Sequence, residues 1–144
     1  MFGPKRIDPE ALEEQNCLNL ARAAGAHVYR LSGNARAGGT RQDRGLPDAW
    51  LFFPAHNIGG WFEAKSPMGM KRHLALVKEP YDPKWKKDHA QKWQHAHDQE
   101  EFGRLCELTG IPWCLGHQGD FELWLEKLGV IQYLGGIRQI VRRP

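Results

Sequence analysis

The chain has 144 residues, 41% hydrophobic and 26% charged, with 20 Lys and Arg against 17 Asp and Glu for a net charge of +3. That length and apolar content suit one domain with one core, and they exclude a disordered chain. The longest uninterrupted apolar run, Ala49–Phe53, has five residues, far short of the about 20 that a membrane span needs. Met1–Arg6 has no apolar stretch behind its charges, so no secretory signal is expected. Cys17, Cys106 and Cys114 form no CxxC pair, which fits buried thiols in a reducing cytoplasm.

The first pattern is helical. Pro9 suits a first helical turn, Glu10, Glu13 and Glu14 favour its positive end, and Gly25 stops it. Leu12, Cys17, Leu18, Leu20, Ala21 and Ala24 form its apolar side. His27–Leu31 reads as a short strand, followed by a polar loop rich in Gly and Arg from Ser32 to Gly45. Ala49–Phe53 and Gly60–Ala64 read as two strands joined by a loop of hairpin size. Ser66–Lys87 has no clean period and holds Pro67, Pro80 and Pro83, so an extended loop or arm is expected. A helix should run from Asp88 to Thr109, with Phe102, Leu105, Cys106 and Thr109 on its inner face and Gly110 as its stop. Ile111–Gly116 reads as a strand, and Asp120 should cap a last helix through Leu128. The tail, Val130 to Pro144, is apolar for a terminus and should pack on something. The order is a mixed α/β domain, α-β-β-β-(arm)-α-β-α.

Within it stand Gly45-Leu46-Pro47-Asp48 and Glu63-Ala64-Lys65. Asp48 opens one expected strand and Glu63-Ala64-Lys65 closes the next, so antiparallel pairing brings these ends together at one sheet edge. Side chains alternate across a strand, which sends Trp61, Glu63 and Lys65 to one face and Phe62 and Ala64 to the other. Charges at the end of an aromatic run are costly unless they pair or bind something. Two carboxylates with a backbone carbonyl, here that of Ala64, suit a hard cation such as Mg²⁺ or Mn²⁺. A neighbouring ammonium can orient a water and hold developing negative charge. Taken alone, the same three charges could equally be an ion-pair cluster at the surface.

Pro47-Asp48, a gap of 14 residues, then Glu63-Ala64-Lys65 resembles the PD-(D/E)XK signature of metal-dependent nucleases, whose restriction-endonuclease-like core is α-β-β-β-α-β. More narrowly, the chain is similar to the virus-type replication-repair nuclease (VRR-NUC) family over about residues 10 to 128. The resemblance rests on Gly-Leu-Pro-Asp before an apolar strand, on Asn34, Gly38, Gly39, Arg41 and Arg44 upstream, and on Gln99 inside the later helix. It implies a metal-dependent DNA endonuclease acting on branched, flapped or junction DNA in replication, repair or recombination, and leaving 5′-phosphates. Asp48, Glu63 and the Ala64 carbonyl would bind Mg²⁺ or Mn²⁺, Lys65 would position the attacking water, and Gln99 would orient the lysine or the phosphate. Glu14 would hold the metal or one of its waters, although Glu10 and Glu13 flank the same helical stripe. Compact members look like homodimers, for which the apolar tail and the helix bearing Trp124 are candidate interface pieces.

One departure from the family is the 33 residues, Ser66 to Asp98, between the Glu-x-Lys strand and Gln99. From Ser66 to Lys92, seven basic residues (Lys71, Arg72, Lys78, Lys84, Lys86, Lys87, Lys92) face three acidic ones, a net +4, with Tyr81, Trp85 and Trp93 interleaved. Such a segment suits an arm on DNA, aided by Arg30, Arg36, Arg41 and Arg44. His89, His95 and His97 lie close in sequence, but their spacing and the scattered cysteines do not make a structural zinc pattern. The reading from a different class is a non-catalytic nuclease-fold module that binds DNA or assists another enzyme.

Overall fold

In the computed structural model, Arg6 and residues 8–31 and 45–142 are described. Arg36, Arg41 and Arg44, with Asn34, Gly38 and Gly39, lie outside them. Helix α1 (Pro9–Ala23) begins with Pro9 in its first turn and the Asp8 carboxylate accepting from the Glu10 N–H at 3.1 Å. Strands β1 (His27–Arg30), β2 (Ala49–Phe53) and β3 (Ile58–Ala64) follow, with one 3-10 turn, Pro54–His56, between β2 and β3. Helices α2 (Pro67–Lys78) and α3 (Lys87–Thr109) lead to β4 (Trp113–Gly116) and α4 (Gln118–Leu128), and β5 (Ile131–Leu134) and β6 (Ile137–Ile140) close the chain.

The sheet runs β1-β2-β3-β4, antiparallel except for the parallel β3–β4 pair. A parallel neighbour needs a long crossover, and α2 and α3 supply it. Period-2 alternation then divides the two faces. Leu51, Phe53, Phe62, Ala64 and Cys114 pack with Cys17, Leu18 and Ala21 of α1 and Phe121 and Leu125 of α4 in one core. On the other face, Trp61 meets Phe102 of α3 edge to face at 5.5 Å, and the Trp113 ring lies where a Cβ on Gly103 would come within 2.6 Å. No helix among the described residues is long and apolar enough to cross a membrane.

Several expectations need correction. Pro67–Lys78 is a helix rather than an extended arm, because Pro67 occupies its first turn and the Ser66 hydroxyl accepts from the Gly69 N–H at 3.0 Å. Its period is hidden in the sequence because basic residues interrupt the apolar ones. Segment 66–87 is therefore the first half of a helical hairpin with α3. His117, not Asp120, caps α4; Asp120 sits at the third helical position and accepts from the His117 N–H, completing a capping box. The inner face of α3 is Ala96, Gln99, Gly103 and Cys106, whereas Leu105 is exposed. Leu12 of α1 is also exposed. The tail forms a β5–β6 hairpin whose Val130 and Ile131 enter the chain's own core, while Leu134 and Ile137 stay exposed.

Candidate active site

The register of β2 against β3 pairs Ala49 with Phe62, so Asp48 and Glu63 meet one step beyond at the same end of the ladder. They interlock. The Asp48 N–H donates to Glu63 Oε2 at 2.8 Å, and the Ala64 N–H donates to Asp48 Oδ2 at 3.3 Å. Gln99 of α3 completes the cluster by donating through Nε2 to Glu63 Oε1 at 2.9 Å. Lys65 follows directly after β3, its N–H continuing the ladder to the Gly116 carbonyl at 2.9 Å. Sequence reasoning thus placed Asp48, Glu63, Lys65 and Gln99 together, and the structure brings them together.

Gly45 explains how the segment before β2 reaches this position. Its φ is +79°, and a Cβ there would lie 2.5 Å from the Asp98 carbonyl oxygen. Only glycine lets the backbone turn this way and press against α3 immediately beside Gln99. Pro47 is fully buried behind it.

Glu63 is 6% exposed and Gln99 3%. Burial, then the charge of Asp48, pushes the Glu63 carboxyl up to about 9. Burial, then the charge of Glu14, raises Asp48 to about 6. Burial disfavours the charged form of both groups, neighbouring carboxylates add to it, and the charge of Lys65 offsets part of the rise at Glu63. A second strain on the cluster lies at Gln99, whose Oε1 is buried without a hydrogen-bond partner. A divalent cation would relieve the carboxylate repulsion. Among the described residues no group of three or more His, Cys, Asp or Glu side chains is arranged to hold a metal. Two carboxylates with waters and a substrate phosphate are nonetheless a donor set that suits Mg²⁺ or Mn²⁺.

The three acids of α1 separate. Glu13 accepts from the Gln118 N–H at 2.8 Å and so serves the start of α4. Glu14 pairs with Arg30 at 3.0 Å while its charge acts on Asp48. Glu10, one turn before Glu14, lines a cleft of about 180 Å³ together with Lys65, Arg72, Lys92, His95 and Gln99. Glu10 was left open beside Glu13 and Glu14 from sequence, and Lys92 and His95 were not singled out as site residues. The i, i+4 spacing of Glu10 and Glu14 was visible, whereas the approach of Lys92 and His95 to Lys65 depends on how α3 packs. Burial, then the charge of Lys65, holds His95 below its ordinary range.

Helix α2 is fastened to α3 by a buried His73, whose Nε2 lies 2.6 Å from Glu100 Oε1. Nearer the hairpin tip, the Trp93 indole N–H donates to the Glu79 carbonyl at 2.7 Å and His89 pairs with the Glu79 carboxylate at 3.0 Å. Lys71 and Arg72 lie on α2, and Lys84, Lys86 and Lys87 lie at the tip, all exposed. The arrangement therefore sets two carboxyl groups side by side at the sheet edge and leaves the lysines and Arg72 of the hairpin exposed. No family model, no curated protein and no solved structure matches this chain.

Proposed function

We propose that this chain is a Mg²⁺- or Mn²⁺-dependent DNA endonuclease of the PD-(D/E)XK type, similar to the VRR-NUC nucleases. One observation carries the reading: half-buried Asp48 and buried Glu63, interlocked at the ends of β2 and β3, have Lys65 directly after β3 and Gln99 bonded to Glu63. A surface ion-pair cluster would place opposite charges together in solvent. Here two carboxyl groups are placed together, Glu63 buried and Asp48 half-buried.

Asp48 and Glu63, with the Ala64 carbonyl, are the groups that would hold the metal. Once bound, the cation supplies Lewis acidity toward a phosphodiester and offsets the negative charge of the pair. Gln99 fixes the orientation of the Glu63 carboxylate through its amide N–H. Lys65, placed at the strand end beside both acids, holds the attacking water and stabilises the charge that develops on the phosphate oxygens. Glu14 adds negative charge near Asp48, and its pairing with Arg30 keeps it in position. Water attacks phosphorus in line, the bond to the 3′ oxygen breaks, and the product keeps a 5′-phosphate.

The test is to incubate the protein with branched, flapped and linear DNA in Mg²⁺, Mn²⁺ or EDTA, beside Lys65→Ala. Cleavage in either metal, abolished by EDTA and lowered about 10²- to 10³-fold by the substitution, is the expected result. Absence of cleavage in both metals would instead favour a non-catalytic DNA-binding module.

A further inference from the structure

We propose that the α2–α3 hairpin is a guide for one unpaired DNA strand, running from its aromatic tip into the cleft beside Lys65. This rests on the nuclease reading for its connection to catalysis, but the binding itself does not require a functional metal site.

Two observations in different parts of the hairpin point to the same ligand. At the tip, Tyr81, Trp85 and Trp93 form a contiguous group of rings, with centroids 5.6 Å apart for Tyr81–Trp85 and 5.8 Å for Trp85–Trp93. Trp93 is committed to the hairpin by its bond to Glu79. Tyr81 is 62% exposed and Trp85 partly so, which leaves ring surface available to a base. Stacking on such rings is the sequence-tolerant way to hold an unpaired nucleotide. In a duplex the bases already stack on one another.

At the other end, Lys65, Arg72 and Lys92 come from three different elements to line the same cleft, with Glu10 the carboxylate on its wall. None of these three cations, nor Lys84, Lys86 or Lys87, forms an ion pair with a described carboxylate. Converging unpaired cations focus a positive field, and a phosphate is the complement. The cleft's 180 Å³ equals about six waters at roughly 30 Å³ each. That accommodates one phosphate group. From Lys87 at the tip to Gln99 at the inner end is twelve residues of α3, about 18 Å at ~1.5 Å per residue. At the ~3.4 Å spacing of stacked nucleotides, the guide spans about five.

The test measures binding in EDTA, so that no bond is cut, by the quenching of tryptophan fluorescence. The probes are single-stranded oligonucleotides of increasing length, a blunt duplex, and the same duplex with a single-stranded arm. Single strands and the armed duplex are expected to quench, with affinity rising until about five or six nucleotides, and the blunt duplex is not. Tyr81→Ala and Arg72→Gln should each weaken single-strand binding about tenfold, while Tyr81→Phe, which keeps the ring, should bind like the wild type. Equal binding of blunt duplex and single strand, or wild-type binding by Tyr81→Ala, would overturn the guide. The expected binding without cleavage in Mg²⁺ or Mn²⁺ would support the guide and remove the nuclease reading. Cleavage of blunt duplex as fast as armed duplex would do the reverse.

Discussion

At the scale of single residues, the decisive feature is that Asp48 and Glu63 face each other across a strand pair with burial against them. Both carboxyls lie above their ordinary range, Asp48 at about 6 and Glu63 at about 9. A raised carboxyl binds its proton more tightly in the folded than in the unfolded chain. The pair is therefore neutral to stability below about pH 4, and destabilises the metal-free fold increasingly as pH rises toward 9. Glu63→Gln should raise the metal-free Tm at pH 8 by roughly 3 °C, about 1 kcal/mol, and leave it unchanged at pH 4. A flipped Gln99 amide would then accept from the new side-chain N–H, which keeps the bond between the two side chains. Protons compete with a cation for these oxygens, so the stabilisation of the wild type by Mn²⁺ should grow between pH 6 and 9 and vanish in Glu63→Gln. Thermal melts across pH, with and without Mn²⁺, check both statements. Gly45→Ala should cost about 2–3 kcal/mol in denaturant unfolding, since the left-handed φ and the Asp98 carbonyl both oppose a Cβ.

Among the elements, legibility followed locality. The two strands bearing Asp48 and Glu63 were readable because apolar runs, a short connection and antiparallel pairing fix their ends without knowledge of the rest of the fold. Gln99 was readable only through the resemblance that marked it inside the later helix, and of the inner face expected there Leu105 turned outward. Helix α2 was not. Pro67 looked like a breaker because its role as a first-turn residue depends on the Ser66 cap, and the prolines at 80 and 83 lie in the turn after the helix. Nor could the sequence bring His73 to Glu100, a contact between two helices set by their packing. That contact carries a prediction of its own. His73→Leu removes the pair and should loosen α2 from α3 by about 1–2 kcal/mol. Hydrogen exchange in Pro67–Lys78 should accelerate roughly tenfold while β2 and β3 keep their protection.

For the whole molecule, the small net charge of +3 is a balance of separate regions. Acids stand at the start of α1, at the sheet edge and along the inner half of α3 (Asp98, Glu100, Glu101, Glu107), while residues 66–92 carry the net +4. A metal nuclease needs both signs, carboxylates toward the cation and positive charge toward the DNA. Neutralising Lys84, Lys86 and Lys87 together should reduce the slope of log affinity against log salt for single-stranded DNA by about two, at ~0.7 for each phosphate contact. Titration of binding at several salt concentrations checks this, and an unchanged slope places these lysines outside the DNA contact. The central claim is that the sheet edge holding Asp48, Glu63 and Lys65 hydrolyses phosphodiesters. It is tested most directly by the Mn²⁺-dependent cleavage rate of an armed duplex, measured for the wild type and for Lys65→Ala with unchanged circular dichroism. The account predicts 5′-phosphorylated products from the wild type and a rate about 10²- to 10³-fold lower in the variant; equal rates in the two proteins would contradict it.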